Sequence, residues 1–119
     1  MTGAHGAVAR YTMSDEMVPG FEYEEGLYAP PTDIQLLNAS FPVTVGRRSS
    51  NDLTLHHSSV SGAHAQLEMG EEDGETVYYI QDLGSTNGTR AEGNPIQRHR
   101  LNNGDLIHFG DVGLRFGLL

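Results

Sequence analysis

Cysteine is missing from all 119 residues, and so are lysine and tryptophan. Without cysteine there is no disulfide, no thiol nucleophile and no thiolate metal site. Without lysine there is no Schiff-base chemistry and no P-loop of the Gly-Lys-Ser/Thr kind, despite the glycines at Gly84 and Gly88. Positive charge is scarce altogether: seven arginines face 16 acids, a formal charge of −9. Such a chain repels nucleic-acid phosphates and anionic lipid, so neither is expected as a partner. No apolar run approaches the ~18 residues of a membrane span, and MTGAHGAVARYT has no signal-peptide core. The expectation is one soluble, cytoplasmic domain, long enough to bury roughly two thirds of its unfolded surface.

Two stretches differ in character. Residues 1–33 carry six acids, one arginine and the breakers Pro19-Gly20 and Pro30-Pro31, with no sustained apolar period. They read as a flexible acidic tail; within it Phe21-Glu-Tyr-Glu-Glu alternates apolar and acidic residues, which suits a short strand, but a solvated acidic segment is the preferred expectation. From Ile34 to Leu119, short β-like runs alternate with turn clusters. Ala65, Leu67 and Met69 alternate with polar neighbours, TVYYIQDL at 76–83 is β-branched and aromatic, and Gly70–Gly74, Gly84–Gly88 and Asn102–Asp105 punctuate. No ten-residue window has helical period. The class is all-β, an antiparallel-dominated sandwich.

Four patches carry the chemistry: Gly46-Arg47, Ser61-Gly-Ala-His64, Asp82–Thr89 and Leu101–Gly110. Arg47 ends an apolar strand and emerges at a loop mouth. Ser61 and Ser85-Thr86-Asn87-Gly88 add hydroxyls, an amide and backbone N–H groups. This set lacks a base of suitable pKa, and suits holding an oxyanion: a planar guanidinium fork with neutral donors around it binds phosphate. No catalytic residue is assigned. His64 and Ser61, three apart, would point to opposite faces of a strand, with no third orienting group. His56-His57 has no metal-ligand spacing, and no metal or other cofactor is expected. The sequons at Asn38 and Asn87 lack the leader that would bring them to the glycosylation machinery.

In order and spacing these patches resemble the forkhead-associated (FHA) family of phosphothreonine-recognition domains, over residues 34–119. The resemblance implies a β-sandwich of about eleven strands with ligand loops at one end. It implies that Arg47 makes the main phosphate contact, Ser61 adds its hydroxyl and backbone N–H, and Thr86 completes the pocket. Asn87 would bond the peptide backbone, with Arg48 and Ser85 auxiliary and Gly46, Asn51, His64 and Gly88 shaping the loops. After Ser61 the family often has Arg or Asn; Gly62 offers only its N–H. The implied function is a non-enzymatic phosphothreonine-peptide module whose partners are a Ser/Thr kinase or its substrates. A scaffold of the same fold that binds unphosphorylated protein is the other reading. Within the tail, Thr12 precedes Asp15 by three residues and lies 22 residues before Ile34, a flexible span of about 25 Å. Phosphorylated Thr12 is therefore a candidate ligand for the domain's own pocket or a neighbour's, giving self-association.

Overall fold

In the run TVYYIQDL alternate side chains face opposite sides of a pleated strand: Tyr78 and Ile80 point into the core, while Val77, also buried, lies on the other face. A computed structural model describes residues 19–26, 33–35 and 40–118 of this chain. It contains β1 (Pro19–Glu25), β2 (Asp33–Gln35), β3 (Val43–Gly46), β4 (Leu53–Thr54), β5 (Ala65–Glu72), β6 (Glu75–Asp82), β7 (Thr89–Ala91), β8 (Asn94–Ile96), β9 (Arg98–Arg100), β10 (Leu106–Phe109) and β11 (Val112–Leu118). The strands form a six-stranded sheet, in the order β2-β1-β11-β10-β7-β8, and a five-stranded sheet, β4-β3-β5-β6-β9. All pairings are antiparallel except β3 with β4. The expected sandwich and its strand number are thus present.

Asp73 and Gly74 close the β5–β6 hairpin with φ of 53° and 82°. A two-residue turn with both φ positive matches the right-handed twist of its strands, which is why glycine and aspartate stand there. Between the sheets the core is aromatic. Phe21 packs edge-on to Phe109 and Phe116, with centroids 6.3 and 5.6 Å away, and Tyr78 adds a ring 6.0 Å from Phe116. Edge-to-face rings of this kind gain from their quadrupoles beyond simple area burial.

One expectation is corrected. Phe21–Glu25 is not a solvated segment: β1 pairs with β11 from Pro19↔Leu118 to Glu25↔Gly113, so the sheet begins well before Ile34. Local acidity misled the reading, because the stabilisation is long-range. Phe21 has no exposed surface, Glu24 pairs with Arg115 at 3.2 Å, and Glu25 pairs with His108 at 2.7 Å. Thr12 lies outside the described residues.

Candidate functional site

Three loops meet at one end of the sandwich: β3–β4, β4–β5 and β6–β7. The first two are zipped together by backbone. Arg47 N donates to Ser61 O (2.9 Å), Arg48 N to Gly62 O (3.3 Å) and Leu55 N to Gly46 O (2.9 Å). Gly46 is glycine because a Cβ would sit 2.3 Å from Gly62 O and 2.7 Å from Asn51 Nδ2. Asn51 then ties the pair, its Nδ2 donating to Arg48 O (2.8 Å) and Gly62 O (2.7 Å). The approach leaves the Arg47 side chain exposed at the loop mouth.

His64 links the second loop to the third. Its Nδ1 accepts from Ser61 N (3.0 Å), which puts the ring proton on Nε2, facing Gly88 O at 3.0 Å. The ring is fully buried and packs edge-on to Phe109 at 5.8 Å. Burial pushes its pKa below the usual histidine value, against the opposing pull of the Gly88 carbonyl and Asp82. The sequence argument placed Ser61 and His64 on opposite faces of a strand; Ser61 instead lies in a loop and meets the ring through its backbone. With both ring nitrogens engaged on backbone, His64 is not oriented as a base toward Ser61 Oγ.

Asp82 shapes the third loop. One carboxylate oxygen accepts from Gly84 N (2.9 Å) and Ser85 N (3.0 Å), the other from Ser85 Oγ (2.5 Å) and Thr89 Oγ1 (2.7 Å). Burial raises its pKa, but the donors from Ser85, Thr89 and Gly84 prevail and hold the carboxyl below its ordinary value. Ser85 Oγ also accepts from Gly88 N (3.0 Å). It faces the scaffold, so the auxiliary ligand contact expected of Ser85 is corrected to a loop-shaping one.

These two groups contribute to the acid response. Because the folded state resists charging His64, the unfolded chain binds more protons below about pH 6.5. Stability therefore falls as pH drops through that range and levels off once the buried ring is protonated. Asp82 acts lower: its contribution is complete above about pH 4 and is lost as pH falls toward its depressed folded value. Melting curves from pH 8 to 3 should show both declines. A His64→Asn variant should lose the dependence between pH 7 and 5 specifically; an unchanged slope there would refute the assignment.

At the loop mouth is an open cavity of ≈ 270 Å³ lined by Arg47, Ser58, Ser59, Val60, Ser61, Gly62, Thr86 and Asn87. All five residues expected at the ligand site thus converge. Ser61 Oγ accepts from Thr86 N (2.9 Å), so its own proton is free to donate outward. Its backbone N–H is already given to His64, which corrects the expectation that this group meets ligand. Asn87 Nδ2 holds Ser59 O (2.8 Å), leaving its carbonyl oxygen toward solvent contacts. Ser58, Ser59 and Val60 were not anticipated. Ser59 Oγ accepts from Asp111 N (2.8 Å) and lies 2.8 Å from His57 Nδ1, an arrangement that only the folded loop reveals.

An all-β sandwich that presents the exposed Arg47 and Arg48 beside neutral hydroxyl and amide groups on its loops has the chemistry to hold an anionic group. The FHA domain profile matches residues 43–110, and the chain belongs to that family. A curated relative, an oxoglutarate dehydrogenase inhibitor of Corynebacterium efficiens, is 31% identical over 116 residues, 98% of this chain and 78% of the relative. Among solved structures, one from a study of phosphothreonine-dependent FHA domain interactions is 28% identical with a TM-score of 0.66, covering 85% of this chain and 95% of that one. Mycobacterium tuberculosis EmbR in complex with a low affinity phosphopeptide is also 28% identical, with a TM-score of 0.69 over 90% of this chain and 26% of EmbR.

Proposed function

We propose that the domain binds phosphothreonine-containing segments of partner proteins in kinase-dependent signalling. The observation that carries this is Arg47: an exposed guanidinium with no acidic partner among the described residues, in a chain of net charge −9, beside the outward-donating Ser61 hydroxyl. Phosphate at neutral pH carries close to two negative charges and three acceptor oxygens, which matches that donor set. Thr86 and Asn87 close the pocket, and the loops around Ser61 and Ser85–Asn87 would supply a small recess for the threonine methyl. Placing a methyl there gains about 0.8 kcal/mol, with more from the restricted rotamer. The phosphothreonine-dependent interactions of one structural relative and the phosphopeptide complex of another support the same reading.

Calorimetric titration with three matched peptides tests the reading. The phosphothreonine peptide should bind several-fold more tightly than its phosphoserine counterpart, and the unphosphorylated twin should give no saturable heat. Equal binding of the unphosphorylated peptide would favour docking of unmodified protein.

Thr12 remains the candidate acceptor within the chain. The start of β1 at Pro19 shortens its tether to about seven residues, a reach of at most ~25 Å. The pocket lies toward the Glu25 end of β1, a strand some 20 Å long, so a neighbouring molecule's pocket is easier to reach than its own. Phosphorylation of Thr12 should therefore shift the elution volume toward larger species and perturb NMR signals of Arg47, Ser61 and Thr86. No change relative to Thr12→Ala would end the idea.

A further inference from the structure

In an acid-rich protein, arginines normally find carboxylates. Among the described residues Arg98 pairs with Glu68 (3.1 Å), Arg100 with Glu72 (3.1 Å) and Arg115 with Glu24 (3.2 Å), while Arg90 donates to Gly110 O (3.2 Å). Among the described arginines only the neighbours Arg47 and Arg48 have side chains left without a partner, and both are exposed at the same loop mouth. Arg47 accounts for the phosphate. Arg48 is a second uncompensated cation that the phosphothreonine reading does not use.

Its position is specific. A Cβ added to Gly62 would lie 2.8 Å from Arg48 Nε, 3.0 Å from Cζ and 3.2 Å from Cγ, so the guanidinium is laid across the Cα of Gly62. Gly62 forms part of the cavity wall, whereas Arg48 does not line the cavity. The charge therefore sits just outside the cavity, beside the wall that Gly62 forms. Any larger residue at 62 would push it aside. The absence of a side chain after Ser61 is thus the space that Arg48 fills.

We propose that Arg48, held over Gly62, selects phosphothreonine ligands that carry an acidic side chain next to the phosphothreonine. This rests on the phosphothreonine reading and narrows it to acidic phosphopeptides. A guanidinium fork matches a carboxylate in two parallel hydrogen bonds, and the surrounding negative field leaves this spot the favourable landing place for one. Being at the rim, the pair gives discrimination of a few-fold, weakening with salt.

The test is a set of phosphothreonine peptides with Asp, Ala or Lys placed in turn at each flanking position, titrated into the intact chain at low and high salt. The parent should prefer Asp over Ala by about three- to fivefold at one or two positions. Arg48→Ala should bring that ratio to near one, and Arg48→Glu should turn it toward Lys. Gly62→Ala keeps every charge but displaces the guanidinium, and should lower the ratio as well. A parent that binds phosphothreonine peptides without distinguishing Asp from Ala would overturn the inference alone. So would an Arg48→Ala variant that weakens all peptides equally, because Arg48 would then act on the phosphate. A ratio that Gly62→Ala leaves intact would refute the role given to Gly62. A parent that cannot tell the phosphorylated from the unphosphorylated peptide would remove the phosphothreonine reading, and this proposal with it.

Discussion

Arg47→Ala should abolish measurable phosphothreonine-peptide binding while leaving the melting temperature of the free domain nearly unchanged. The two halves have separate physical causes. In the free domain the Arg47 side chain is exposed and makes no ion pair among the described residues, and its structural hydrogen bond, from its backbone N to Ser61 O, survives in alanine. Truncation thus leaves no buried group unsatisfied and opens no cavity. In the complex the phosphate covers the guanidinium, and removing one member of a desolvated charge pair costs about 2–5 kcal/mol. That is roughly a 30- to 5,000-fold loss, at about 1.4 kcal/mol per decade. Arg47→Lys should recover only part of it, since an ammonium cannot reproduce the bidentate fork. Arg48→Ala should cost far less overall, because its charge stands outside the pocket. Equal losses from Arg47→Ala and Arg48→Ala, with normal melting curves, would sink the assignment of Arg47.

The site was legible where a side chain does the work and illegible where backbone does. Gly46-Arg47, Ser61, His64, Thr86 and Asn87 advertise themselves by type and spacing, and five of the eight cavity-lining positions were anticipated from them. Which proton goes where was not. That Ser61 N–H is spent on His64, that Ser85 turns toward Asp82, and that Ser59 holds the Asp111 amide depend on loop conformations. Loops from three separate parts of the chain must be in register before any of these contacts exists. Gly62 illustrates the same limit. In sequence it is a missing contact; in three dimensions it is the surface on which Arg48 rests.

The fold divides along a similar line. Strands with period-two alternation and turn dipeptides, such as β5, Asp73-Gly74 and β6, are specified locally and were readable. The strand β1 is less so: three of its seven residues are acids, and the alternation in Phe21-Glu-Tyr-Glu does not by itself outweigh them. Its partner β11 lies some ninety residues away, and the decision rests on the inward-facing Phe21 and on the ion pairs of Glu24 and Glu25.

That account makes Phe21→Ala the most destabilising single truncation expected in the N-terminal third of the chain. The ring is fully buried and touches both Phe109 and Phe116, so removing it leaves a large void that rigid strands on either side cannot close. Phe→Ala changes at such sites cost about 3–5 kcal/mol, a third or more of the typical stability of a domain this size. The melting temperature should fall on the order of 15 °C or more, whereas Glu22→Ala, on the outward side of the same strand, should stay within about 0.5 kcal/mol of the parent. Phe21→Leu should recover most of the loss. The damage should also travel. Phe21 packs on Phe109, Phe109 packs on His64, and His64 holds Ser61 and Gly88 in place. Hydrogen exchange should therefore quicken first along β1 and the β1-facing amides of β11, then at Ser61, and phosphopeptide affinity should weaken although no ligand contact has been removed. If Phe21→Ala melts like the parent, the segment Pro19–Glu25 is a solvated tail after all, and β1 is not part of the domain's stable core.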